Sequence, residues 1–217
     1  PDKKFMLVDN TVDFEADDLS NVYCATFKQN EGSFLAGVAA GLLAGDGGTI
    51  GFIGGMDIPP INDFLVGYIE GAESVNPDIK VISTYTGDYY DPAKGKEHGI
   101  VQFDQGAEVV FAAAGPAGLG AIEAAVDKDK KIVGVDSDQS TAYAENGDTT
   151  TAEHIVTSMV KNVGDSIFRA IEKDINGELA WGTSESLGIA EDGVGLAKND
   201  VYEAAFTDEQ KAKIEEI

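Results

Sequence analysis

Cysteine is almost missing from this chain: of 217 residues, Cys24 is the one example. A single thiol excludes an intrachain disulfide framework and a cysteine-rich zinc site. Its place in the apolar run 22–26 points to a buried, inert side chain. Cations are scarce as well. Lys+Arg number 15 against 39 Asp+Glu, a formal charge of −24, and Arg169 is the one arginine. Nucleic-acid affinity rests on cations that neutralise phosphates, so the balance argues against DNA or RNA as a partner. Binding of an anionic bilayer by a basic surface fails for the same reason. Long apolar runs are lacking too, none approaching the ~20 residues of a membrane-spanning helix. The chain opens Pro-Asp-Lys-Lys-Phe, without an initiator methionine or a basic-then-apolar signal segment.

What is present is an ordinary globular composition, 43% hydrophobic and 25% charged, in a length that can bury a real core. Short apolar runs alternate with longer amphipathic ones. They predict strands at 5–8, 22–27, 50–53, 80–85, 109–112 and 131–135, and helices at 33–43, 61–74, 92–105 and 117–126. Alternation of this kind with short connections is the pattern of a parallel sheet covered by helices on both faces. The strands are continuously apolar, as burial on both faces requires. Gly37 and Gly41 share one face of the first helix and permit close packing, and Gly45-Asp46-Gly47-Gly48 stops it. Beyond Asp136 the rhythm changes. Residues 140–151 read as helix-poor, 155–175 as one long amphipathic helix, and 182–196 as a hairpin or loop pair. A terminal helix starts at the capping-box pattern Thr207-Asp208-Glu209-Gln210.

In open α/β sheets ligands gather at the carboxyl ends of the strands. Those ends carry Asp9, Gly54-Gly55-Met56-Asp57, Gly87-Asp88-Tyr89-Tyr90, Gly115-Pro116-Ala117-Gly118 and Asp136-Ser137-Asp138-Gln139. Glycine lets backbone approach a ligand, tyrosine offers a flat face, and a carboxylate accepts two hydroxyl hydrogen bonds. The set describes a polyhydroxylated small molecule with a planar group, and no cationic phosphate site accompanies it. One of Asp136 and Asp138 is expected to face the ligand while the other caps or is hydrated, and alternation allows either Tyr89 or Tyr90 to face it but not both. The glycines at 51–55 and 115–120 lack the spacing of a dinucleotide loop. His98 and His154 are flanked by charge and read as solvated; no Cys–His pair or serine elbow accompanies them. Asp-Ser-Asp-Gln lacks the glycine and terminal glutamate of an EF-hand loop. The reading contains no catalytic residue, metal or cofactor.

The stretches EGSFLAGVAAGLLAGDGGTIGFIGGMDIPPINDFLVGYIEGA, YTGDYYDPAKGKE, GAEVVFAAAGPAG, GVDSDQ and TSMVKNV carry a resemblance. From residue 5 to 197 the chain resembles the basic-membrane-protein (PnrA-like) lipoproteins, purine-nucleoside-binding subunits of ABC importers. The resemblance implies the type I periplasmic-binding-protein fold: two doubly wound parallel-sheet lobes joined by a hinge, with a nucleoside clamped between them. It implies that Tyr89, where the family usually has Phe, stacks on the base and that Gly115 lies against the ligand. Asp136 would accept the ribose hydroxyls, Lys161 would help to hold the ribose, and Asp9 would be an acidic contact from the other lobe. Family members begin with a further segment containing a D-x-S-F-N-Q pattern, so the N-terminal lobe is expected to be truncated here. The lobes are expected at 1–47 with 158–180, and at 48–157, with 181–217 as an unassigned tail. The implied role is non-enzymatic: an extracytoplasmic, lipid-anchored and monomeric full-length protein that binds adenosine, guanosine or inosine and partners a membrane permease. A ligand-sensing regulator of the same fold and an α/β nucleoside-processing enzyme are the alternatives.

Overall fold

The computed structural model describes residues 3–16 and 18–217. The chain begins with β1 (Phe5–Val8), β2 (Val22–Phe27), α1 (Gln29–Ala44), β3 (Thr49–Gly54), α2 (Pro59–Val75) and β4 (Lys80–Tyr85). It continues through α3 (Pro92–Asp104), β5 (Ala107–Ala113), a 3-10 turn (Gly115–Ala117), α4 (Gly118–Lys128) and β6 (Lys131–Asp136). Next come α5 (Gln139–Glu145), α6 (Thr149–Ala152), β7 (Ile155–Lys161), α7 (Val163–Ile175) and β8 (Thr183–Leu187). A 3-10 turn (Ile189–Glu191) leads to β9 (Val194–Leu196), α8 (Asp200–Ala205) and α9 (Asp208–Glu216).

Two compact units form, one of Pro1–Lys28 and Lys161–Gly195, the other of Gln29–Val160 and Leu196–Ile217. This division departs from the expected boundary at 47/48, because α1 packs on α2 in the larger unit. The contact is close because glycines line it. A Cβ on Gly37 would lie 2.0 Å from the Tyr68 carbonyl oxygen, and one on Gly71 would lie 1.9 Å from that of Phe34. The tail 196–217 belongs to the same unit, and Gln210 Nε2 donates to the Leu42 carbonyl (3.1 Å).

The larger sheet has the strand order β4-β3-β5-β6-β7-β9, with parallel pairing from β4 through to β7. Adjacent residues of β3 point to opposite faces. Phe52 meets Tyr68 and Phe111 in an aromatic cluster under α2, whereas Gly51 lies beneath Gln102 of α3. Alanines 112, 114, 117, 121, 124 and 125 pack with Val110, Ile122 and Ile132 in a second core. Small side chains there let α4 sit close to the sheet. Helix α2 opens on Pro59 and Pro60 at its first two positions, where a missing N–H has no helical partner to lose.

The smaller unit holds a three-stranded parallel sheet, β1-β2-β8, with Cys24 fully buried in its middle strand.

Three expectations fail after Asp136. Residues 155–175 are not one helix but strand β7 followed by α7. Ile155, Val156 and Thr157 are β-branched and buried, and the apolar strand runs without punctuation into an amphipathic helix, which hides the boundary. The stretch 140–151 holds two short helices, because Asp138 caps α5 and Asp148 caps α6. Each of these aspartates accepts both the N–H and the hydroxyl of a threonine three residues on. The region 182–196 is no hairpin, since β8 pairs with β2 in one sheet and β9 with β7 in the other. The terminal helix does carry the expected capping box between Thr207 and Gln210.

Candidate functional site

In the larger unit the chain steps from β3 out to β4, then crosses back to β5 on the other side of β3 and proceeds to β6. Connections leave the carboxyl ends of β3 and β5 in opposite directions, which opens a crevice at that point. The Gly55 N–H donates to the Ala113 carbonyl (3.2 Å), tying together the two strand ends at its floor.

Tyr89 stands over this floor. A Cβ on Gly55 would lie 2.2 Å from Tyr89 Cε1, so the ring rests on bare backbone. Gly115 is in the left-handed region (φ 55°), and its Cβ position is 3.7 Å from the Tyr89 ring. The Ala117 N–H donates to the Tyr89 carbonyl at 2.9 Å, which fixes the main chain behind the ring. Burial raises the Tyr89 phenol above its usual value, so the hydroxyl stays protonated at neutral pH. Tyr90 is 80% exposed and does not share the platform. The loop is stapled by Asp88, whose Oδ1 accepts the N–H groups of Tyr90 and Asp91 and whose Oδ2 receives Lys94 Nζ at 2.7 Å. Chiefly the Lys94 hydrogen bond, and then those two N–H groups, lower the Asp88 carboxyl to about 2.

Asp136 ends β6, the neighbour of β5, exposed and with φ 66°. Asp138 is committed elsewhere: it caps α5 and accepts from Asn199 Nδ2 at 2.7 Å. Gln139 folds over β6, its Oε1 accepting the Val135 N–H (3.0 Å) and its own N–H donating to Ser158 Oγ (3.2 Å).

Asp9 and Lys161 belong to the smaller unit. Asp9 follows β1 with φ 56°, and Lys161 Nζ donates to both its carboxylate oxygens at 3.0 and 2.8 Å. The lysine side chain is 9% exposed and its ammonium lies 5.8 Å from the Phe27 ring centroid, so it is held as well as paired.

Thus Tyr89 and Gly115 come together in one unit, Asp136 stands one strand away on the same sheet edge, and Asp9 pairs with Lys161 in the other unit. A cavity of 540 Å³ beside α5, α6 and the start of α8 includes none of them; Ser140, Thr149, Glu145, Glu153 and Asn199 are on its wall. Among the described residues no group of three or more His, Cys, Asp or Glu side chains is arranged to hold a metal ion.

The whole chain, residues 1–217, matches the family model described as ABC transporter substrate-binding protein PnrA-like. The chain belongs to the PnrA-like family. It is 34% identical to the ABC transporter nucleoside-binding protein BmpA of Lactococcus lactis, over 100% of this chain and 63% of that protein. It is 35% identical to basic membrane protein D of Borreliella burgdorferi, over 87% of this chain and 53% of that protein. The chain therefore spans between about half and two thirds of the length of these PnrA-like relatives. Among solved structures, a solute-binding protein of an Aeropyrum pernix ABC transporter system aligns with TM-score 0.79 and 23% identity, over 98% of this chain and 67% of that one. A transcriptional activator of the comK gene from Bacillus halodurans aligns with TM-score 0.82 and 19% identity, over 98% and 68%. These likenesses show the fold, type I periplasmic-binding-protein, and a fold shared by transporters and regulators does not choose between them.

Within this PnrA-like chain, sequence reasoning missed the function of Gly55 as the seat of Tyr89, although a glycine pair directly after a strand was a usable signal. The Asp88–Lys94 staple was missed too: Gly87-Asp88 after a strand marks a turn, but nothing local names Lys94 as the partner. Another group gave no signal at all: Arg169 forks onto Glu185 at 2.9 and 2.7 Å, and Tyr23 donates to the same carboxylate at 2.6 Å. The three residues lie on separate elements of the smaller unit.

Proposed function

We propose that the chain forms part of an extracytoplasmic binding protein that takes up a purine nucleoside and delivers it to an ABC permease, without catalysing any reaction on it. The observation that carries this reading is the tyrosine platform at the β3/β5 crevice. A purine stacks on the free face of Tyr89, whose other side is seated on Gly55, while Gly115 leaves room for the ligand to approach backbone. Asp136, one strand along, accepts ribose hydroxyls. In the smaller unit Lys161 is a donor to ribose, its ammonium positioned by Asp9.

The chemistry of these groups supports a nucleoside over a nucleotide, since no cluster of cations accompanies them and the net charge of −24 repels phosphate. The Lactococcus lactis relative, named a nucleoside-binding protein, supports the same class. Specificity arises because polar groups that lose water on binding must be paired by the ligand. Calorimetric titration with adenosine, guanosine and inosine against free ribose tests the reading. Heats of binding for nucleosides and none for ribose are expected; equal or absent heats for all four overturn it.

A further inference from the structure

A groove of the larger unit lies apart from the tyrosine platform. One part, of 540 Å³, opens between the α5–α6 pair and the start of α8. A neighbouring space of 440 Å³ continues along α8 and shares Glu153, Asp200 and Val201 with it. The walls are held apart. Asn199 is a strut between them: its Nδ2 donates to Asp138 at the head of α5 (2.7 Å), and its Oδ1 accepts the Val201 and Tyr202 N–H groups that open α8, both at 3.0 Å. Ser140 Oγ donates to the Ala152 carbonyl at 3.0 Å, which ties α5 to α6 beneath. The apolar side chains along the walls, Ala144, Ala152, Val201, Ala204 and Ala205, are too short to fill the space.

The rim of this groove is acidic and not neutralised. Glu145, Glu153 and Asp200 are exposed, and among the described residues none of the three carboxylates accepts a hydrogen bond or joins an ion pair. Lysines stand close by in sequence but pair elsewhere: Lys130 with Glu108 at 2.7 Å, and Lys198 with Glu215 at 2.6 Å. Lys131 is the one cation among the described residues that line the groove. An apolar floor between helical walls, under a carboxylate rim, is complementary to a helix with apolar residues on one face and cations beside them.

We propose that this groove docks a basic amphipathic helix of a partner protein, with the helix's apolar face on Val201 and the alanines and its lysines or arginines on Glu145, Glu153 and Asp200. Charge complementarity selects the occupant. A small polycation would answer the carboxylates but leave the alanine floor wet, and an apolar ligand would cover the floor but leave the carboxylates partly desolvated without a counter-charge. A second copy of this chain, at −24, and an anionic bilayer are both repelled. None of Tyr89, Gly115, Asp136, Asp9 and Lys161 lines the groove, so docking is measured separately from nucleoside binding.

The probe is a synthetic leucine–lysine peptide of about 14 residues with leucines at i, i+3 and i+4 spacing, compared with a scrambled peptide of the same composition. Binding is read by fluorescence anisotropy at about 0.15 M salt, where charges more than about 8 Å apart are largely screened. The patterned peptide is expected to bind, and the scrambled one to bind at least about tenfold more weakly. Replacing the rim together (Glu145→Gln, Glu153→Gln, Asp200→Asn) should weaken the patterned peptide by about tenfold, the sum of three exposed ion pairs. Glu70→Gln, Glu73→Gln and Glu97→Gln together change the net charge equally at exposed positions outside the groove and should leave affinity unchanged. Ala204→Trp, exposed on α8, fills the groove without touching its charges and should also block the peptide, with the fold intact by circular dichroism. Equal binding of the two peptides, an equal loss in the control triple, or undiminished binding by Ala204→Trp would overturn the proposal. So would displacement of the peptide by spermidine at equal concentration, which would make the groove a site for a small polycation.

Discussion

A methyl group at position 55 would lie 2.2 Å from Tyr89 Cε1, and 2.3 Å from Cδ1, so Gly55→Ala must lift the ring from its seat. The chain should fold normally while nucleoside affinity falls, as measured by calorimetry beside a thermal melt. Tyr89→Ala should cost about 1–3 kcal/mol of binding, the range for one base stacked on one aromatic side chain, and Tyr89→Phe should keep most of it. Position 136 needs two variants. Its φ of 66° suits aspartate and asparagine but strains alanine. Asp136→Asn therefore isolates the carboxylate, with an expected loss of about 1.5–3 kcal/mol if ribose hydroxyls bind a charged acceptor. Asp136→Ala should lose that and thermal stability too. If Asp136→Asn binds nucleosides as well as the parent does, the ribose assignment is wrong.

The packing of α1 on α2 depends on glycines whose neighbours are backbone atoms rather than flexible side-chain ends. Gly37→Ala and Gly71→Ala each place a methyl about 2 Å from a carbonyl oxygen, so the helices must separate. A loss of about 1–3 kcal/mol is expected for each, read as a lower melting temperature. In the smaller unit, Arg169 first and then Tyr23 hold the Glu185 carboxyl at about 2, below its ordinary 4.5, against the opposing effect of burial. A depressed carboxylate pKa gives stability that is present above the unfolded value and lost as pH falls through the folded one. Glu185→Gln should accordingly flatten the acid-unfolding profile between about pH 4.5 and pH 2, measured by circular dichroism. Most elements up to Asp136 were legible because their apolar runs end at or just before a glycine, proline or aspartate, the strand 22–27 before Lys28 being the exception. The join of β7 to α7 was not, since Asn162 interrupts neither period strongly enough to be seen. The two short helices before it were announced by paired Asp-x-x-Thr caps, a signal weaker than hydrophobic periodicity but physical.

At the scale of the whole molecule, a charge of −24 on 217 residues means that self-repulsion opposes folding. Raising salt from about 10 mM to about 0.15 M shortens the screening length from about 30 Å to about 8 Å. The melting temperature should rise with it; a flat response would show that the surface ion pairs already balance the field. No helix among the described residues is long and apolar enough to cross a membrane. Composition, run length and strand-end chemistry determined the α/β class, most strand positions, the scarcity of phosphate-binding cations and the residues worth testing, because these depend on local periodicity and residue type. Only tertiary structure decided that β3 is flanked by β4 and β5, that Tyr89 sits on Gly55, that α1 belongs with α2, and that Lys161 pairs with Asp9 across 152 residues of sequence. Those facts depend on which distant segments share a sheet, and strand order is set by packing free energy summed over the whole core rather than by any local run of residues.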